Sequence, residues 1–254
     1  MNEVKQLVIN ERIQMPRLGT RKLYFLLEGT FKQRQLKVGR DKLFSFLKDE
    51  HMLIKPRKSH TKTTMSKHWL YKHPNRIKEK TFDQPEQLWV SDITYIKTRE
   101  GNSYLSLVTD AVSRKIMGYH LSRDLRTESV IKALRMATGN RIFNGSLIHH
   151  SDRGLQYCAG DYQLLLLKHN IKTSMTDGHD CYQNALAERV NGILKAEFLI
   201  RTYNNIDQAA KVIEQSIYIY NHKRPHLSLG YKTPDQVHRK PTVALTTEDL
   251  NSIN

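Results

Sequence analysis

Three carboxylates stand apart from the other acidic residues of this 254-residue chain. Asp92 interrupts the otherwise apolar run Leu88–Ile96 (LWVSDITYI), where a charged side chain is poorly solvated, has low β-propensity and needs a compensating partner. Asp152 follows the run Leu147–His150 in the sequence His150-Ser151-Asp152-Arg153-Gly154, at the strand's edge where open α/β sheets place their sites. Glu188 lies one turn into a helical pattern, and thirty-five residues separate it from Asp152. Taken singly, each carboxylate is explained by a surface ion pair; strand interior, strand edge and helix face together are not. Three converging carboxylates repel one another unless a cation neutralises them. Oxygen-only ligation selects hard cations, so Mg²⁺, with Mn²⁺ as substitute, is the expected cofactor. Two such ions activate an attacking hydroxyl and stabilise the leaving oxygen of a phosphodiester, with no protein nucleophile required. His149 and His150 are also close in sequence, but Mg²⁺ sites seldom recruit imidazole, and one of the pair is expected to fill the core.

The elements that must position these groups follow from periodicity. Leu88–Ile96, Tyr104–Thr109 and Lys115–Leu121 read as strands, joined by turns at Arg99-Glu100-Gly101-Asn102 and Asp110–Arg114. They make an antiparallel meander. A helix over Thr127–Thr138, a strand at Leu147–His150, a helix over Asp161–His169 and a strand at Ile171–Met175 come next, followed by helices from about Gln183 to Leu199 and from Ile206 to about Asn221. The order βββ-α-β-α-β-α-α predicts an α/β fold, a mixed sheet flanked by helices, and it is the order of the ribonuclease-H-like fold. On the helix that carries Glu188, the residues Asn184, Glu188, Asn191 and Lys195 share a polar face, while Leu186, Val190, Ile193 and Leu194 supply an apolar one.

Charge divides the chain. Residues 1–80 hold 20 Lys and Arg against 7 Asp and Glu, whereas residues 81–254 hold 21 against 18, within an overall net charge of +16. A basic region beside a nearly neutral one suggests that the first grips a polyanion. Excess lysine that only aids solubility is the alternative. Residues 1–53 read as three short helices, broken at Pro16 and at Val38-Gly39, and suit a small all-α helix-turn-helix domain. Its third helix presents Arg40, Lys42 and Lys48 on the polar side; a helical bundle with no DNA contact is the alternative. Residues 54–84 are expected to be a basic, partly disordered linker that tracks phosphates, with Lys55, Arg57 and Lys58 at its start. Residues 85–222 are the expected catalytic core, and 223–254 an extended C-terminal tail. The two cysteines, Cys158 and Cys181, argue against a structural zinc site and a disulfide scaffold. No apolar run approaches the roughly 18 residues that span a bilayer, and the N-terminus lacks signal-peptide features. A cytoplasmic protein, associated with the nucleoid when bound to DNA, is expected.

The segments Trp89–Ile96 (WVSDITYI), His150–Tyr157 (HSDRGLQY) and Asn184–Glu197 (NALAERVNGILKAE) resemble the three signature blocks of the DDE transposases and retroviral-type integrases. In particular they resemble the OrfB catalytic subunit of bacterial insertion sequences that move by a copy-out, paste-in route. The thirty-five-residue interval, Lys195 seven places after Glu188, and the C-terminal Asn221–Pro225 (NHKRP) with His226, Leu229 and Thr233-Pro234 all match that group. The resemblance spans nearly the whole chain. It implies that Asp92, Asp152 and Glu188 hold two Mg²⁺ ions, that Lys195 contacts the DNA backbone, and that Arg153, Asn184 and Asn191 lie near the bound DNA. It implies hydrolysis at an element's terminal repeats to expose a 3′-OH that then attacks target DNA, by a homo-oligomer on DNA working with an upstream OrfA-type product or fusion. Gln183 departs from the family, where an aspartate commonly precedes the asparagine. A non-catalytic DNA-binding regulator, and a nuclease of the same fold that cleaves without joining, are the competing classes.

Overall fold

The alternation that begins at Leu88 becomes a five-stranded sheet in a computed structural model, which describes residues 1–55, 68–177 and 184–239. Strands β1 (Leu88–Thr98), β2 (Gly101–Asp110) and β3 (Ile116–Ser122) form the antiparallel meander. Strands β4 (Leu147–Ser151) and β5 (Ile171–Met175) add in parallel on the other side of β1, giving the order β3-β2-β1-β4-β5. Central strand β1 is covered on both faces, which is why its sequence is apolar on both parities.

Trp89, Val108 and Met117 face helices α4 (Thr127–Gly139), α5 (Leu155–Cys158) and α6 (Gly160–Lys168) through Val130, Ala133, Leu134, Tyr157, Tyr162 and Leu166. On the other face, Ile96, Leu105 and Leu107 meet Val190 and Leu194 of the Glu188 helix and Ile213, Ile217 and Tyr220 of α8 (Ile206–His222). At Gly118 on β3, a Cβ would lie 2.1 Å from the Ala133 carbonyl oxygen and 2.6 Å from the Ala137 nitrogen. Only glycine lets α4 seat this closely on the sheet. The helix expected to run to Leu199 changes pitch: α7 (Ala185–Ile193) passes into a π-helical turn at Leu194–Phe198.

Helices α1 (Asn2–Gln14), α2 (Thr20–Gln33) and α3 (Arg40–Asp49) close over Val4, Val8, Leu23, Leu27, Phe31, Leu43 and Leu47. They also rest on the rest of the chain. Lys22 of α2 reaches Glu197 at 3.1 Å, Arg224 reaches the same carboxylate at 2.6 Å, and Phe25 stacks on Tyr231 with ring centroids 4.6 Å apart.

Two segments differ from expectation. Residues 223–239 do not run out as an extended tail. They form a 3₁₀ turn at Leu227–Leu229 and a helix, α9 (Pro234–Arg239). Arg224, His226 and His238 are buried, and His238 lies between Ser113 Oγ at 2.9 Å and Glu86 Oε1 at 3.2 Å. These contacts are polar, so hydropathy gave no sign of them. The second half of the basic linker is docked as well. The Arg76 amide donates to Ser174 Oγ at 2.8 Å, and the Met175 amide to the Pro74 carbonyl at 3.4 Å. This strap covers the otherwise open edge of β5. Among the described residues no helix is long and apolar enough to cross a membrane.

Candidate active site

The strand register brings two of the three carboxylates together. On the parallel neighbours β1 and β4, Val90 is opposite His150. Asp92 stands two residues beyond Val90 on β1, and Asp152 two beyond His150, just past the end of β4, so strand alternation directs both toward one face. The consequence is electrostatic. Burial, and next the charge of Asp152, push the Asp92 carboxyl up from 3.8 to about 7, against the Ile93 amide and Asn191, which stabilise its charged form; Glu188 adds the smallest upward push. Asp152 Oδ1 accepts the Gly154 amide at 3.0 Å, and a Cβ on residue 154 would lie only 3.0 Å from that same oxygen. The glycine in Asp-Arg-Gly lets the loop fold back on the carboxylate.

The polar face of α7 is laid along β1. Asn184 Nδ2 donates to the Ser91 carbonyl at 3.0 Å, Asn191 Nδ2 to Asp92 Oδ2 at 2.8 Å, and Lys195 Nζ to Thr94 Oγ1 at 3.2 Å. Glu188 lies between Asn184 and Asn191 on this face and remains exposed to solvent. Among the described residues, no three His, Cys, Asp or Glu side chains are gathered tightly enough to hold one metal ion. Asp92 is coupled more strongly to Asp152 than to Glu188, and the three do not close into one cluster.

The donor set is oxygen only. His149 belongs to the opposite face: its Nε2 lies 2.8 Å from Ser91 Oγ and 2.9 Å from the Tyr162 hydroxyl, and burial pushes its pKa down to about 3. The Nδ1 of His150 lies 2.9 Å from Ser174 Oγ. Two neighbouring carboxylates, one held protonatable near neutrality by burial and next by its neighbour's charge, fit a hard divalent cation that would relieve the repulsion.

The expected DNA contacts are placed unevenly. Asn184 and Asn191 are buried at 4% and 5% exposure and engaged with β1, so they position α7 and orient Asp92 rather than face a phosphate. Lys195 is partly buried; burial lowers its pKa, Asp92 opposes this, and Lys97 adds to the lowering. Arg153 is partly buried, and its carbonyl accepts from His68 Nε2 of the strap at 2.8 Å. Arg40 and Lys42 are exposed on α3, with Arg40 Nε 3.1 Å from Asp41 and Lys42 Nζ 3.1 Å from the Lys37 carbonyl. Lys55 is exposed; Arg57, Lys58, Cys181 and Gln183 lie outside the described residues. Sequence reasoning missed the His68–Arg153 contact and the Thr94 anchor for Lys195. A lone strap histidine and a strand threonine carry no signal before the fold is known.

Two family models described as Integrase core domain match residues 83–181 and 169–234. The "Insertion element IS600 uncharacterized 31 kDa protein" of Shigella sonnei is 37% identical over 228 residues, covering 87% of this chain and 84% of the relative. The "Transposase InsF for insertion sequence IS3A" of Escherichia coli (strain K12) is 36% identical over 158 residues, 61% of this chain and 55% of that protein. Among solved structures, the simian T-cell lymphotropic virus intasome in complex with PP2A regulatory subunit B56 gamma shares the fold. It has a TM-score of 0.55 at 18% identity, covering 90% of this chain and 73% of that one. By its signature blocks, its sheet order and its relatives, the chain belongs to the insertion-sequence DDE transposases of the integrase-core superfamily, polynucleotidyl transferases that cleave and join DNA strands.

Proposed function

We propose that Asp92, Asp152 and Glu188 are the ligands of a Mg²⁺ pair, replaceable by Mn²⁺, at which element-end DNA is cut and its 3′-OH transferred to target DNA. One observation carries this reading: Asp92 lies on β1 beside the end of the parallel strand β4 that leads into Asp152, and burial first, then the charge of Asp152, raises the Asp92 carboxyl to about 7. The bound ions would supply charge neutralisation for the attacking and leaving oxygens of the phosphodiester. The chain's own residues do the positioning. Asn191 holds Asp92 Oδ2, the Gly154 amide holds Asp152 Oδ1, and Asn184 pins the start of α7, the helix that carries Glu188. Lys195, anchored at Thr94 a turn beyond Asn191, offers its ammonium to a backbone phosphate. The N-terminal helices of residues 1–53, with Arg40 and Lys42 on their outer side, are the element that grips the terminal repeats. A homo-oligomer that pairs two ends, an upstream OrfA-type product or fusion, and a cytoplasmic location complete the proposal.

A gel assay with labelled element-end duplex tests it, comparing Mg²⁺, Mn²⁺ and EDTA with wild type and Asp152→Asn. Joined products made by the wild type in either metal, and by neither protein in EDTA, are expected. Cleavage without joining would replace this reading by a nuclease.

A further inference from the structure

A second feature on the Asp92 face of the sheet has no part in the chemistry above. Where the strap turns from the edge of β5 toward β1, Arg76, Lys80 and Thr81 meet Lys172 of β5 and Ser146 at the start of β4, around a recess of about 350 Å³ floored by Ile148. The three cations come from separate stretches of chain. Among the described residues none of them is paired with a carboxylate, although Lys78 next to them pairs with Asp177 at 3.0 Å. Arg76 is fixed in place: its amide donates to Ser174 Oγ, and its Nε to the Thr173 carbonyl at 3.2 Å. Three like charges held around one hollow, with two hydroxyls and no acid in its lining, make a site that an anion would complete.

Register supplies the direction. Ile148 lies opposite Leu88 and belongs to the small core of Leu88, Val90 and Ala187 on the α7 side of the sheet. It precedes Asp152 by four residues along β4, a span of about 13 Å at roughly 3.3 Å per residue. That distance is close to four base-pair steps of about 3.4 Å.

We infer that this recess holds a backbone phosphate of the DNA strand that leads into the Asp92–Asp152 site, and so extends the track several nucleotides from the reacting bond. The inference rests on the DNA reading of that site. Ser146 and Thr81 add hydroxyl donors suited to phosphate oxygens, and the one amide in the lining, Gln87, has its oxygen taken by the Asp83 and Gln84 amides, so the contact is to the backbone.

The test measures binding of the full chain to a fluorescein-labelled duplex of arbitrary sequence by anisotropy across a series of salt concentrations. It compares wild type with Lys80→Ala/Lys172→Ala and with Lys132→Ala, a surface change on α4 across the sheet. All three proteins are first shown to melt at the same temperature. The double variant is expected to lower the slope of log affinity against log salt by about 0.9, the loss of one phosphate contact, while Lys132→Ala leaves the slope unchanged. An unchanged slope in the double variant overturns the inference and leaves the active-site reading intact. An equal fall in Lys132→Ala also overturns it, because net charge alone would then account for the effect. A wild type that binds no duplex overturns both this inference and the function on which it rests.

Discussion

Replacing Asp92 by asparagine isolates the electrostatic tension on which the site assignment depends. The substitution is close to isosteric, and the new amide oxygen still accepts from Asn191 Nδ2, so the hydrogen bond found at 2.8 Å is retained while the charge is removed. Burial and Asp152 raise the wild-type carboxyl from 3.8 to about 7. At 1.36 kcal/mol per unit, this is about 4 kcal/mol against the ionised form in the native state, and about 2–4 kcal/mol after allowing for the group's partial exposure. The sign follows from linkage. The native carboxyl binds its proton more tightly than the unfolded chain does, so its contribution to stability is fully present below about pH 3.8 and is lost as pH rises to about 7. Asp92→Asn carries no such loss. In EDTA its melting temperature should match that of the wild type near pH 4 and exceed it by roughly 5–15 °C above pH 7, at about 2–4 °C per kcal/mol for a chain of this size. Excess Mg²⁺ should then stabilise the wild type, by about 2.7 kcal/mol at a hundred times its dissociation constant, and leave the variant unmoved. Thermal melts followed by circular dichroism, with both proteins taken through the same pH series, read the difference directly. A gap that does not change with pH, or a variant less stable than wild type at pH 8, would refute the reasoning.

Gly118→Ala should cost about 3 kcal/mol or more in urea melts, because its Cβ would meet main-chain atoms of α4 that cannot move aside without displacing the helix; a loss under about 1 kcal/mol would mean that α4 seats differently on β3. Lys195→Ala should weaken duplex binding and reduce its salt dependence while Mg²⁺ affinity, read by calorimetry, stays near wild type. An affinity for Mg²⁺ that falls as far as in Asp92→Asn would place Lys195 among the groups that organise the metal.

Much of this arrangement is legible before any fold is known, because its signals are local. A carboxylate inside LWVSDITYI is conspicuous, since a strand covered on both faces leaves little other than apolar residues around it. The polar stripe Asn184, Glu188, Asn191 and Lys195 is visible because helical spacing alone puts it on one face, and three of its members lie against β1 in order. What each member does was not legible. Whether an asparagine turns toward the sheet or toward solvent depends on how the helix docks, and here burial makes Asn184 and Asn191 clamps for β1. Residues 223–239 were unreadable for a different reason. Their inward groups are Arg224, His226 and His238, residue types that normally mark surface, and the partner that holds His238 at 3.2 Å is Glu86, 152 positions away. The strap along β5 is hidden for the same reason, because its bonds run through main-chain groups and a serine hydroxyl rather than through apolar side chains.

Strand transfer by single-carboxylate variants tests the central claim most directly. Asp92→Asn, Asp152→Asn and Glu188→Gln are each mixed with element-end duplex and Mg²⁺, with duplex binding measured alongside. Glu188 is the discriminating member, because it lies exposed on α7 and is the weaker of the two charges that act on Asp92. The account predicts that all three variants bind duplex and that each loses joined product by at least about a hundredfold. Joining by Glu188→Gln at the wild-type rate would contradict it.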